Sequence, residues 1–160
     1  MSTIGYLELK RLIKLKVDIV KAIPMPPISL RKGPVAIFPK NKKVKNFFNK
    51  IGTTIEIKDE KLSKNFWTIS GTMASFYELL NVLTNWLIKE KVNKRDAQKY
   101  VTHLYLALAQ LAASNTSKPL KYLVEEQTPG GLNWQGVNEL RKSGYYRLLK
   151  KSLKKIYKRL

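Results

Sequence analysis

The stretch of this chain best equipped for chemistry is Thr128-Pro129-Gly130-Gly131-Leu132-Asn133-Trp134-Gln135. Pro129 fixes its own φ and removes an amide donor, and the two glycines after it open backbone geometry closed to other residues. Asn133 stands where a helix cap belongs, ahead of the apolar residues Val137, Leu140 and Leu148. A Gly-Gly turn that feeds a helix start leaves amides unpaired and pointing outward, a ready seat for a carboxylate or phosphate. Gly131 is expected at positive φ. The same residues also make a plain inter-helix connector, since short Gly-Pro turns are common ones.

Helices must frame that turn, and the second half of the chain supplies them. Leu62, Phe66, Trp67 and Ile69 mark a helix over 61–69, interrupted by Ser70-Gly71-Thr72. From Met73 to Glu90, the residues Phe76, Leu79, Leu80, Leu83, Trp86 and Leu87 follow helical spacing. Asn93 caps the next helix, whose stripe is Ala97, Tyr100, Val101, Leu104, Leu108 and Leu111. A polar loop over 114–118 precedes Pro119, which suits the first turn of a helix to Gln127. After the Gly-Gly turn come a helix to Ser143, a break at Gly144 and a last helix over 145–160. The first third has a different texture. A helix is predicted over 2–16, with strands over 17–23, 35–38 and 53–57. Asn41 caps a helix between the second and third strands, and Gly52 ends it.

A chain of 160 residues with 44% hydrophobic content folds as one domain's worth of core and is not wholly disordered. It has no cysteine, hence no disulfide framework and no thiolate metal site, which agrees with a reducing cytoplasm. Charges break every apolar run, so no membrane span is expected. Glu8, Lys10, Arg11 and Lys14 likewise deny the N-terminus the form of a signal peptide. The formal charge of +20 is spread over 40–50, 89–95 and 141–159 and is mostly lysine. Without a basic run interleaved with exposed aromatics, nucleic acid is not the expected partner. The lone histidine, His103, has no convergent ligands in the sequence, so no metal is expected. No nucleophile–base pairing and no GxGxxG phosphate loop is present.

The order of these features resembles pyrroline-5-carboxylate reductase. Four stretches carry the likeness over nearly the whole chain. Val20-Lys21-Ala22-Ile23-Pro24-Met25-Pro26-Pro27 is similar to that family's strand ending in a Met-Pro-Asn-Thr-Pro-like turn. Asn49-Lys50-Ile51-Gly52 and the strand after it resemble its glycine turn before a strand and an acidic residue. Thr68-Ile69-Ser70-Gly71-Thr72-Met73-Ala74 stands where the family has Ser-Gly-Ser-Gly-Pro-Ala. Thr128-Pro129-Gly130-Gly131, with a helix, the Gly144 break and a final helix, resembles its Ser/Thr-Pro-Gly-Gly loop and is the most specific of the four.

The resemblance implies a mainly α fold, a helical-bundle dimerisation domain with a small α/β remnant at the N-terminus. It divides the chain into residues 1–60, the tail of a dinucleotide-binding domain, and 61–160, the dimerisation and substrate domain. It implies NADP- or NAD-dependent reduction of a cyclic imine acid to proline, a homodimer or higher oligomer, and a small carboxylate as substrate. Thr128, Gly130, Gly131, Leu132 and Asn133 are then the substrate-binding residues. Asn133 takes the catalytic place where the family has a Thr beside the imine nitrogen. Pro24, Met25, Ser70 and Gly71 would lie next to the cofactor. Because only the end of the nucleotide-binding half is covered, this chain alone is expected to bind neither NADP nor NAD. The alternative is a non-catalytic helical dimerisation or interaction module, and behind that a basic nucleic-acid-associated protein.

Overall fold

The structure is a computed structural model and describes residues 4–14, 16–114 and 117–160. The chain divides into two compact units, one running to Gly71 together with Leu153–Leu160, the other Thr72–Ser152.

The first unit is built on three short strands in the order β1 (Lys21–Pro24), β2 (Pro34–Phe38), β3 (Thr53–Glu56). β1 pairs antiparallel to β2, with Lys21 opposite Phe38, and β3 pairs parallel to β2, with Val35 opposite Thr54. Alternation on β2 turns Val35 and Ile37 into the core, where both are fully buried, and Ile57 closes it from the end of β3. The parallel pair needs a crossover, supplied by α2 (Lys42–Phe48). Asn41 caps that helix, its Oδ1 accepting from the Val44 amide at 3.0 Å. Gly52 is required after it, because a Cβ there would lie 2.7 Å from the Gly33 carbonyl oxygen. α1 (Tyr6–Leu12) and α3 (Ser63–Ser70) complete this unit with the last turns of α8 (Tyr145–Arg159). Ile156 of α8 packs so closely on Gly71 that a Cβ on the glycine would sit 3.0 Å from its Cγ2.

The helical unit consists of α4 (Met73–Lys89), α5 (Lys94–Ser114), α6 (Leu120–Glu125), α7 (Leu132–Lys142) and the first part of α8. α4 and α5 pack as an antiparallel hairpin, with the Phe76 and Tyr105 rings 6.3 Å apart. Asn93 caps α5 by accepting from the Arg95 amide at 2.9 Å. Within one chain, the predicted stripes find few partners. Only Ala97 and Val101 are buried, α4 buries no residue, and Tyr100, Leu104, Leu108 and Leu111 stay exposed.

Two boundaries differ from the sequence expectation. The N-terminal helix is α1 alone, not 2–16, of which residues 2, 3 and 15 lie outside the described residues. The first strand begins at Lys21, not Val17, because β2 offers partners only for Lys21–Pro24. Asn115 and Thr116 of the predicted polar loop also lie outside the described residues.

Candidate functional site

Gln127, Thr128 and the two glycines form a tight turn into α7. The Gly131 amide donates to the Thr128 carbonyl at 2.9 Å, and the Gln135 amide donates to the Gly131 carbonyl at 2.9 Å. The residue in the left-handed region is Gly130, at φ 75°; Gly131 is at φ −75°, ψ 169°. The expectation of positive φ at Gly131 is therefore corrected by one place. Gly131 is held small for another reason, since a Cβ would lie 3.1 Å from the Thr128 carbonyl oxygen.

The helix cap is also corrected. Gly131 caps α7 and provides no side chain, so the amides of Leu132, Asn133 and Trp134 begin the helix without a side-chain acceptor. Asn133 lies inside the first turn, where its Nδ2 donates to Gln127 Oε1 at 2.8 Å. Gln127 in turn donates from Nε2 to the Leu123 carbonyl at 2.9 Å, tying α6 to the head of α7. Gln127 escapes sequence reading, because a contact six residues away across a turn has no periodic signature. Thr128, Gly130, Leu132 and Asn133 are exposed, Leu132 by 87%. An anion can thus reach the turn from solvent. The partial positive charge of a helix start is worth about 0.3–1 kcal/mol to an exposed anion and up to about 2 when partly buried.

The other expected site residues belong to the first unit. Pro24 ends β1, opposite Val35. The Met25 carbonyl accepts from the Ile28 amide at 3.0 Å and starts a 3-10 turn over Pro26–Leu30. Ser70 Oγ donates to the Phe66 carbonyl at 3.2 Å, and the Gly71 amide closes α3 on the Trp67 carbonyl at 3.0 Å. These bonds lie within their own turns and helix, and of the expected site residues Thr128–Asn133 are the ones gathered into a single turn.

The described residues do not fit a dinucleotide. The βα turn that leads from β2 to α2, Pro39-Lys40-Asn41, has no glycine, and Asn41 already occupies the Val44 amide. Among the described residues no group of three or more His, Asp or Glu is placed to hold a metal. His103 is exposed on α5, its Nδ1 2.8 Å from the Lys99 carbonyl, as a proton on Nδ1 allows. The open 660 Å³ cleft there is lined by α5 and its cap alone, Asn93 to His103, and includes none of the loop residues. Among the described residues no helix is long and apolar enough to cross a membrane. Tyr105, set beside Tyr145 and Tyr146, has its phenol pKa raised by burial first and by those two neighbours second.

A mainly helical domain beside a three-stranded sheet, with an uncapped Gly-Gly helix start, is a dimerisation-type fold carrying an anion-ready turn. Residues 60–160 match the family model described as pyrroline-5-carboxylate reductase dimerisation, and the chain belongs to that family. No curated protein matches the sequence. Among solved structures, it resembles the pyrroline-5-carboxylate reductase of Coxiella burnetii, with TM-score 0.81 and 20% identity over 97% of this chain and 60% of that one. It resembles the Streptococcus pyogenes 1-pyrroline-5-carboxylate reductase with TM-score 0.79 and 19% identity over 98% and 63%. The NADP-bound pyrroline carboxylate reductase of Plasmodium falciparum gives TM-score 0.77 and 18% identity over 96% and 65%. The chain thus spans 60–65% of the length of these three.

Proposed function

We propose that this chain is the substrate-binding and dimerisation half of a pyrroline-5-carboxylate reductase-like oxidoreductase, acting as a homodimer or larger oligomer. The observation that carries this reading is the Thr128–Asn133 turn, which opens the uncapped start of α7 to solvent inside the matched region. A five-membered cyclic imine acid offers one carboxylate and one ring nitrogen. The amides of Leu132, Asn133 and Trp134 take the carboxylate. Asn133 keeps a second Nδ2 hydrogen and its Oδ1 for the ring nitrogen after bonding Gln127. In the family the hydride comes from NADPH or NADH, and this chain's own part is to seat and orient the acceptor.

The test is proline as a product ligand, followed by amide shift mapping. Binding is expected in the millimolar range, about −4 kcal/mol, with shifts at residues 130–134. Gly130→Ala weakens it roughly 5–30-fold, since an L side chain in the left-handed region costs about 1–2 kcal/mol. Asn133→Ala weakens it less. Shifts confined to lysine-rich helices would overturn the reading. NADPH added to this chain alone leaves its fluorescence unchanged. Asn133 in the place where the family has a Thr favours a second reading, a helical dimerisation module without catalysis, and a dimer that ignores proline would select it.

A further inference from the structure

Folding brings Lys61 and Lys64 to an exposed aromatic ring, Tyr157, that stands within the basic run 154–159. In the first unit, Tyr157 of α8 lies 42% exposed, with Lys64 Nζ 4.4 Å over its ring. Lys61, Lys64, Trp67 and Tyr157 line an open cleft of 400 Å³. Lys154 and Lys158 stand one turn apart on the same helix, three residues before and one after Tyr157. Both are exposed, and α8 contains no acidic residue.

One carboxylate at this patch is paired with a lysine, and the other, Asp59, accepts from the Lys61 amide at 2.9 Å. Glu60, the acidic residue lining the cleft, accepts from Lys21 Nζ and from the Tyr6 amide through one oxygen, each at 2.7 Å. Among the described residues none of Lys61, Lys64, Lys154 and Lys158 is in an ion pair. Such a surface recruits an extended anion. The apolar stripe of α8 is not free to enter a bilayer, because Leu153 and Ile156 are half-buried and Ile156 is packed on Gly71.

We infer that Lys61, Lys64, Lys154, Lys158 and Tyr157 form a binding surface for single-stranded nucleic acid. The lysines track successive phosphates and the half-exposed Tyr157 ring accepts one unpaired base in the cleft. Stacking needs a base that is not already paired, which selects a single strand over a duplex, and every base has a π face, so no sequence preference follows.

The experiment is fluorescence anisotropy of the full chain with labelled oligo(dT) and oligo(U), a duplex of equal length, polyglutamate, and phosphatidylserine vesicles. Single strands are expected to bind tightest. With four phosphate contacts the log–log salt slope is about −2.8, roughly 50-fold weaker binding at 200 mM than at 50 mM salt. The combined variant K61Q/K64Q/K154Q/K158Q loses that slope. K32Q/K40Q/K42Q/K43Q, with the same change in net charge, keeps it. Tyr157→Leu weakens single strands several-fold and leaves the duplex unchanged. Circular dichroism confirms that each variant is folded, and Lys→Arg at the same four positions restores binding if one is not. Equal losses in the two lysine variants, equal binding of polyglutamate, or preference for vesicles would each overturn the inference.

Discussion

The sheet unit and the helical unit solve the same problem differently. The sheet unit closes its own core: Val35 and Ile37 are fully buried and Ile57 nearly so, around a central strand. The helical unit carries longer apolar stripes, yet among its described residues only Ala97, Val101 and Gly144 are buried. Helix pairs hide one flank of each cylinder, whereas a strand with neighbours on both sides hides alternate residues by pairing alone. A complete core within the chain and a core half left on the surface therefore belong to one polypeptide. Stripes of the second kind are what a further copy would cover in a dimerisation family.

Breaking the open core gives the largest effect. Leu104→Asp with Leu108→Asp puts two carboxylates on the exposed side of α5, where each leucine would contribute about 1.5–3 kcal/mol once buried. The expected outcome is complete loss of the dimer in sedimentation at micromolar concentration. Phe47→Asp, on the exposed side of α2, leaves the oligomer intact. A stable folded wild-type monomer would sink the comparison itself.

Breaking the closed core comes next. Ile37→Ala leaves a cavity under β2 and costs about 2–5 kcal/mol, read by denaturant unfolding of the sheet unit, with the oligomeric state retained. Equal destabilisation of both units would mean that they unfold as one.

The smallest effect is electrostatic and confined to the sheet unit. Glu56 accepts from Lys45 Nζ at 2.8 Å, which holds its carboxyl below the usual 4.5; burial opposes this more weakly. A depressed carboxylate stabilises the fold above its unfolded pKa and loses that contribution as pH falls through the folded value. Stability should therefore drop slightly below pH 4.5 in wild type, and the drop should shrink in Glu56→Gln. An unchanged acid limb in the variant would remove Glu56 from the account.

What could be read from the sequence was what local chemistry decides. Asn41 and Asn93 announce their helices because an amide acceptor at the cap acts over three residues. β2 is legible from Val35 and Ile37, and Gly52 from its place between helix and strand. The start of β1 is not legible, since Val17–Val20 have strand-like composition but no ladder partner. At the candidate site the turn could be read but its roles fell one or two places off. Gly130 rather than Gly131 takes positive φ, and Gly131 rather than Asn133 caps α7. Two adjacent glycines are interchangeable to composition and distinct only to the backbone path between Thr128 and α7.

The packing of Ile156 on Gly71, and of Lys64 over Tyr157, has a consequence for synthesis. The sheet unit is discontinuous in sequence: its last pieces, Leu153–Leu160, are translated after the entire helical unit. At about 5–20 residues per second, residues 72–152 impose a wait of roughly 4–16 s before α8 can seal the unit begun first. On the ribosome, then, Gly71 and the neighbouring turn of α3 stay uncovered until α8 has been made, and the sheet unit, begun before the helical one, is sealed after it.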